Sequence, residues 1–246
     1  MLSRFVKNVV VLGLVLVLLP ATSIWAASLI TDPVLAKAIR SELKLSAKKE
    51  IKAADLQKLE TLYPQEGGAK ISDLRGLEYA VNMENLFLLG NKIKDITPLS
   101  KLKKLTMLAI DDNQITDLSP LSGLSSLQQL IVDDNKIKSL SPLKNLHKLT
   151  DLLASHNQVA DLSPLRGMKL KTAILSGNRI KDLTPLKNHP TLEQLYLDDN
   201  LIQDIEVLKT IPNLKEVSLT INPLNKQASQ VVEELEDNGV TVDLGK

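Results

Sequence analysis

Residues 105–113 read Leu105-Thr106-Met107-Leu108-Ala109-Ile110-Asp111-Asp112-Asn113, and residues 192–200 read Leu192-Glu193-Gln194-Leu195-Tyr196-Leu197-Asp198-Asp199-Asn200. The same pattern, L-x-x-L-x-L-x-x-N, recurs along the chain. Its closing asparagine stands at Asn91, Asn113, Asn135, Asn157, Asn178, Asn200 and Asn222, in steps of 22, 22, 22, 21, 22 and 22 residues. A period that regular means stacked copies of one supersecondary unit. Apolar residues two apart, such as Leu108 and Ile110, predict a short strand with one buried face. Parallel stacking puts successive strands about 4.8 Å apart. A chain built this way acts through a surface shared by many units, which argues against one catalytic pocket.

An asparagine side chain carries two N–H donors and an acceptor oxygen. Stacked in a column, it can satisfy backbone groups that the sharp turn after each strand would otherwise bury unpaired. The ladder is therefore read as structural, and none of its members as functional.

The second half of each repeat is equally regular: Thr97-Pro98-Leu99, Ser119-Pro120-Leu121, Ser141-Pro142-Leu143, Ser163-Pro164-Leu165 and Thr184-Pro185-Leu186 align. Ser or Thr before Pro reads as an N-cap followed by a first-turn proline. The segment is too short for an α-helix, so a 3-10 turn is expected on the convex side. The aspartates at 95, 117, 161, 182 and 204 are read as part of that turn chemistry. One residue is missing between Met168 and Leu170, which accounts for the 21-residue step. His189 takes a position otherwise held by Leu102, Leu124, Leu146, Met168 and Ile211. It is read as a tolerated, partly buried histidine. His147 and His156 fall in other columns, so no metal triad is expected.

The ends must cover the terminal turns. Residues 1–27 read as a cleaved signal peptide, with Arg4 and Lys7 before an apolar run from Val9 to Leu19 and small residues at Ala26 and Ala27. The run is short of the roughly 20 residues that span a membrane. Residues 28–68 are expected to form a helical N-terminal cap, with one helix from Asp32-Pro33 burying Leu35, Ala38, Ile39 and Leu43, and a second near Ala54 to Leu62. Tyr63 to Lys70 reads as a loop. Ile71 to Leu77 fits a degenerate first turn whose asparagine position would be Ala69. Repeats then occupy 69–222. Residues 223–246 form the C-terminal cap: an amphipathic helix over 226–237, terminated by Gly239, and a last strand at Val240-Thr241-Val242.

The 30 basic residues include Arg4 and Lys7; without them 28 stand against 29 acidic, a net charge of −1. That balance gives no reason to expect nucleic acid. There is no cysteine, hence no disulfide framework and no lipid-attachment site. Aromatic residues are 2% of the chain, so the core must rest on Leu and Ile. No nucleophile elbow, phosphate loop or metal-ligand cluster is found, so no catalytic residue, metal or cofactor is assigned.

The unit N-x-I-x-D-[IL]-[ST]-P-L, as in Asn91-Lys92-Ile93-Lys94-Asp95-Ile96-Thr97-Pro98-Leu99, resembles the bacterial internalin-type leucine-rich repeat family. Residues 71–79 (ISDLRGLEY) resemble that family's cap. The resemblance implies an α/β repeat solenoid, right-handed and curved. It would carry a parallel concave sheet, convex 3-10 turns, a helical N-terminal cap and a helix–strand C-terminal cap. It also implies a secreted or periplasmic, envelope-located bacterial protein that binds another protein through its concave face. An envelope-associated scaffold or a glycan-binding protein is the alternative. A monomer without stable membrane insertion after signal cleavage is expected.

Register then names the candidate site. The residue between the two buried apolar positions faces outward, and along the stack it is Phe87, Ala109, Ile131, Leu153, Ile174, Tyr196 and Ser218. Phe87, Ile131, Leu153, Ile174 and Tyr196, extended by Leu89, form the expected ligand-binding stripe. Asp111, Asp112, Asp133, Asp134, Asp198 and Asp199 form an acidic rim beside it. Lysines and arginines follow just past the ladder, at Lys92, Lys94, Lys136, Lys138, Arg179 and Lys181. The rim suits a basic partner, or Ca²⁺ between Asp111 and Asp133. The preferred reading is a solvated, self-neutralising edge, because the acidic column breaks at Ser155 and Ser176.

Overall fold

The computed structural model describes residues 28–64 and 70–245. The expected signal segment and most of the Gly67-Gly68 loop lie outside the described residues. Nine parallel strands form one sheet in sequence order: β1 (Thr61–Leu62), β2 (Asn85–Phe87), β3 (Met107–Ala109), β4 (Gln129–Ile131), β5 (Asp151–Leu153), β6 (Thr172–Ile174), β7 (Gln194–Tyr196), β8 (Glu216–Ser218) and β9 (Thr241–Asp243). Each strand, with the turn that follows it, is one coil of the solenoid. Leu86, Leu108, Leu130, Leu152, Ala173, Leu195 and Val217 pair across successive strands, all pointing into the core. The coil shortened at Met168 keeps this register, with Asp151 paired to Thr172.

The ladder supplies what the turns lack. The Asn135 side-chain oxygen accepts the Ile115 N–H at 2.9 Å, across the gap to the previous coil. Its amide donates to the carbonyls of Ile110 (3.0 Å), Val132 (3.2 Å) and Asp133 (3.0 Å). Asn113, Asn157, Asn178 and Asn200 repeat the arrangement, and all five are buried. Each asparagine thus ties its own turn to the preceding one, and leaves no buried donor orphaned there.

On the opposite side, 3-10 turns occur at Thr97–Lys101, Ser119–Leu121, Ser141–Leu143, Ser163–Leu165, Thr184–Leu186 and Glu206–Thr210. The Ser or Thr before each proline does not cap with its side chain, contrary to expectation. It is the first residue of the turn, and its N–H donates to the aspartate two residues earlier. Thr97 donates to Asp95, Ser119 to Asp117, Ser163 to Asp161 and Thr184 to Asp182, each at 2.8 Å. The cap is therefore the aspartate column, through a local side-chain-to-backbone turn. Ser139 substitutes for it in one coil.

Helix α1 (Pro33–Glu42) begins on Asp32, whose carboxylate accepts the Val34 and Leu35 N–H groups and, across the chain, the Ser72 N–H at 2.9 Å. One buried residue thereby caps the helix and fixes it to the first coil. Its buried residues are Leu35, Ala36 and Ile39. The second helix, α2 (Ala53–Leu56), is shorter than expected, and Leu62 belongs to a strand instead. The sheet therefore begins inside the segment read as helical cap. The Thr61–Asn85 pairing is offset by two residues from the regular spacing, which hides it from a 22-residue period. At the other end α3 (Ala228–Asp237) buries Ala228, Val231 and Leu235, and β9 closes the sheet.

His189 departs from the sequence reading. It is 2% exposed, fully rather than partly buried, and neither ring nitrogen has a hydrogen-bond partner. Burial pushes its pKa below the ordinary histidine value. The Leu165 backbone pulls the other way, but neither nitrogen meets it in hydrogen-bond geometry.

Two stability tests follow. Asn135→Ala orphans the buried Ile115 N–H and leaves the Ile110, Val132 and Asp133 carbonyls one donor each, from Asn113, Asn157 and the Asp112 N–H; it should cost about 2 kcal/mol in urea unfolding. A loss below about 1 kcal/mol would contradict the ladder's role. For His189 the folded state holds the imidazole neutral while the unfolded chain accepts a proton. Stability is then lost as pH falls below the ordinary histidine pKa of about 6.5. His189→Met, matching Met168, should gain about 1–2 kcal/mol and flatten that acid limb. An unchanged limb between pH 7.5 and 5.5 would assign it elsewhere.

Candidate recognition face

Within each strand and just beyond it, side chains alternate between core and solvent. The register sorts the outward residues into columns counted back from the ladder asparagine. Four residues before it run the predicted positions, with Phe87, Ile131, Leu153, Ile174 and Tyr196 all half-buried and side by side. Ala109 is only 4% exposed and makes a notch between Phe87 and Ile131. Ser218 is buried and donates its hydroxyl to Asp198, so it ends the stripe. Leu89 is exposed at the N-terminal corner.

Two parts of this face escape the sequence reading. Tyr63 follows β1 directly and stands in the Phe87 column, 52% exposed. Its ring meets Phe87 edge-on, with centroids 5.4 Å apart and planes at 65°. The two-residue offset of β1 conceals it. The second is the column six before each asparagine: Asn85, Met107, Gln129, Asp151, Thr172, Gln194 and Glu216. The alternation that exposes Phe87 exposes the residue two earlier as well, so period two alone would have found it. Gln194 donates to Glu216 at 3.1 Å there, and Thr172 donates to Gln194 at 3.3 Å.

The aspartates two before the ladder differ among themselves. Asp198 accepts from the Thr220 N–H and hydroxyl, both at 2.8 Å, from Ser218, and from Ser176 at 3.2 Å. Burial opposes its ionisation, but these bonds outweigh burial and hold its pKa below the usual carboxylate value. Asp133 accepts the Ser155 N–H at 2.5 Å. Burial nonetheless pushes its pKa up, helped by the charges of Asp111 and Asp134. Asp111 has Asp133, not a donor, at the matching position of the next coil; burial and the charges of Asp112 and Asp134 raise its pKa.

The residues directly before the ladder are all left-handed: Gly90, Asp112, Asp134, His156, Gly177, Asp199 and Ile221 have φ between 48° and 67°. Gly, Asp and His tolerate that conformation, so Asp112, Asp134 and Asp199 each have a backbone reason to be aspartate. Gly177 has a further one: a Cβ there would fall 2.5 Å from the His156 ring. Ile221 is β-branched, left-handed and 79% exposed, a strained residue at the C-terminal rim.

Among the described residues no group of three or more His, Cys, Asp or Glu is arranged to hold a metal, and no helix is long and apolar enough to cross a membrane. A cleft of about 390 Å³ opens on the convex side between the Thr184 and Glu206 turns. Its Lys209 is already held by Glu206 at 2.6 Å and Glu234 at 2.8 Å.

Residues 81–123, 125–167 and 169–210 match the model of a family described as leucine-rich repeats in two copies. Among solved structures, the chain is similar to an internalin, InlF, from Listeria monocytogenes, at 32% identity and a TM-score of 0.78 over 89% of this chain and 64% of that one. It is similar to internalin C2 of the same organism at 34% identity and a TM-score of 0.62, over 78% of this chain and 94% of that one. A plant peptide hormone receptor, RGFR1, in complex with RGF2, matches at 25% identity and a TM-score of 0.55, over 61% of this chain and 26% of the receptor. The chain thus spans just under two thirds of InlF. No curated protein matches significantly.

Proposed function

This chain belongs to the internalin-type leucine-rich repeat family, and we propose that it is a secreted or periplasmic recognition module that binds another protein through its concave sheet face. Proteins of the internalin and receptor type typically bind proteins and act as scaffolds rather than enzymes. The single observation that carries the reading for this chain is the outward apolar column: Tyr63, Phe87, Ile131, Leu153, Ile174 and Tyr196 face solvent on strands whose other face already fills the core. Apolar side chains in a row outside the core, notched only at Ala109, are what an interface needs. Tyr and Phe at its two ends are anchors of the kind that dominate binding energy. An export route is supported by the charged and apolar pattern of residues 1–27 and by relatives that are bacterial internalins.

The face sets the scale of the partner. Seven strands from β2 to β8 span about 29 Å, and four residues along a strand about 13 Å. The projected area of about 380 Å² is roughly half the 800 Å² a side of a standard interface. A partner bound with ordinary affinity therefore has to use the columns beside the stripe as well.

Replacing Phe87, Ile131, Leu153 and Tyr196 together by Ser removes four of the six stripe side chains without touching a fully buried one. The variant should keep the parent circular dichroism and lose at least about tenfold in capture of its ligand from extracellular extracts. Unchanged capture would remove this face from consideration.

A further inference from the structure

Charge on the concave face is segregated by sign. The chain as a whole carries 30 basic and 29 acidic residues. Yet across β2 to β8, the columns six, four, two and one before the ladder contain only acidic charges. These include Asp111, Asp112, Asp133, Asp134, Asp151 and Glu216, with no lysine or arginine. The lysines just past the ladder form no direct ion pair with them among the described residues. The ion pairs among the described residues are Lys49 and Lys58 with Asp55, Arg75 with Asp73, Lys209 with Glu206 and Glu234, and Lys215 with Glu193. None involves Asp111, Asp112, Asp133 or Asp134. At the N-terminal corner the Lys70 ammonium and an Asp112 carboxylate oxygen both lie beside Gly90.

The acidic columns flank the apolar stripe, and at β3 and β4 the two features meet. Ala109 leaves a notch between Phe87 and Ile131, and Asp111 follows it on the same face, about 6.6 Å further along the chain. That is the reach of an aliphatic stem carrying a charged head, the form of lysine and arginine. Asp111 and Asp133 stand on neighbouring coils with like charges around them, and the burial that raises their pKa makes an incoming cation worth more there.

We propose that the concave face takes a cationic polypeptide segment, its apolar side chains along the Phe87-to-Tyr196 stripe and its lysine or arginine heads on Asp111, Asp112, Asp133 and Asp134. This rests on the reading that the concave face is the binding surface, and it names the chemistry of the occupant. A second copy of the chain is disfavoured on that face, since two such surfaces would meet acid to acid.

A random fifteen-residue peptide library displayed on phage, panned against the purified protein, supplies the probe. Two variants sort the outcome: the four-Ser stripe variant and Asp111→Asn/Asp112→Asn/Asp133→Asn/Asp134→Asn. Asparagine keeps an acceptor for the Ser155 N–H and tolerates the left-handed backbone at 112 and 134, so the second variant should fold. Enriched peptides are expected to carry net positive charge with two or more large apolar residues. Synthesised, they should lose at least about tenfold in affinity to each variant. Raising NaCl from about 0.05 to 0.3 M should weaken wild-type binding about tenfold, and binding to the Asn variant less than about threefold. Neutral or acidic peptides that still depend on the stripe would overturn the cationic occupant while leaving the face intact. Peptides indifferent to the stripe would overturn both. No enrichment would overturn a polypeptide segment as the occupant.

Discussion

The hydrogen bonds of the ladder asparagines are the constraint on which everything else in this solenoid rests. A 22-residue coil must reverse direction right after a three-residue strand, and that turn places N–H and carbonyl groups inside the stack. One side chain per coil answers both needs: its oxygen takes the N–H of the preceding coil, as Asn113 does from Ile93 and Asn157 from Ile137, and its amide feeds carbonyls of both coils. Because the oxygen's bond and one amide bond of each asparagine cross between coils, the ladder also sets the register. The strands then need only be three residues long, and the sheet absorbs the 21-residue coil at β5–β6 and the longer spacing at β1–β2 without changing which face is buried.

Fixed register divides labour among the side chains. Leucine and isoleucine fill the interior, aspartates cap the convex turns, and α1 and α3 close the ends. The strands have one face left over, and there the residues owe nothing to the core. Even so, not every outward residue is free. Asp198 accepts hydrogen bonds from both Ser218 and Thr220. The left-handed position before each asparagine restricts the choice of residue whatever the ligand. What remains unexplained by architecture is the apolar row from Tyr63 to Tyr196 and the unpaired acids around Asp111.

Much of this is legible in the sequence because repetition averages out local ambiguity. Phe87, Ile131, Leu153, Ile174 and Tyr196 can be placed outward from spacing alone, since seven asparagines vote on the register. Where the period breaks, the reading weakens. Tyr63 precedes a two-residue insertion, and Leu62 looks helical because α2 runs towards it. The Ser-Pro and Thr-Pro pairs suggest side-chain caps, but the competing aspartate two residues earlier wins the backbone N–H. The burial of His189 has no local signature. It depends on the coils stacked on either side, one of them a residue short at Met168.

The claim that most of the account depends on is that the ladder, rather than the strands alone, holds the coils together. Native-state hydrogen exchange reads it directly. The amides of Ile93, Ile115, Ile137, Val159, Ile180 and Ile202 lie outside the strands and donate to asparagine side chains. They should exchange as slowly as the strand amides of β3 to β7, through global opening. Exchange of these six at loop rates, with the strands still protected, would contradict the account.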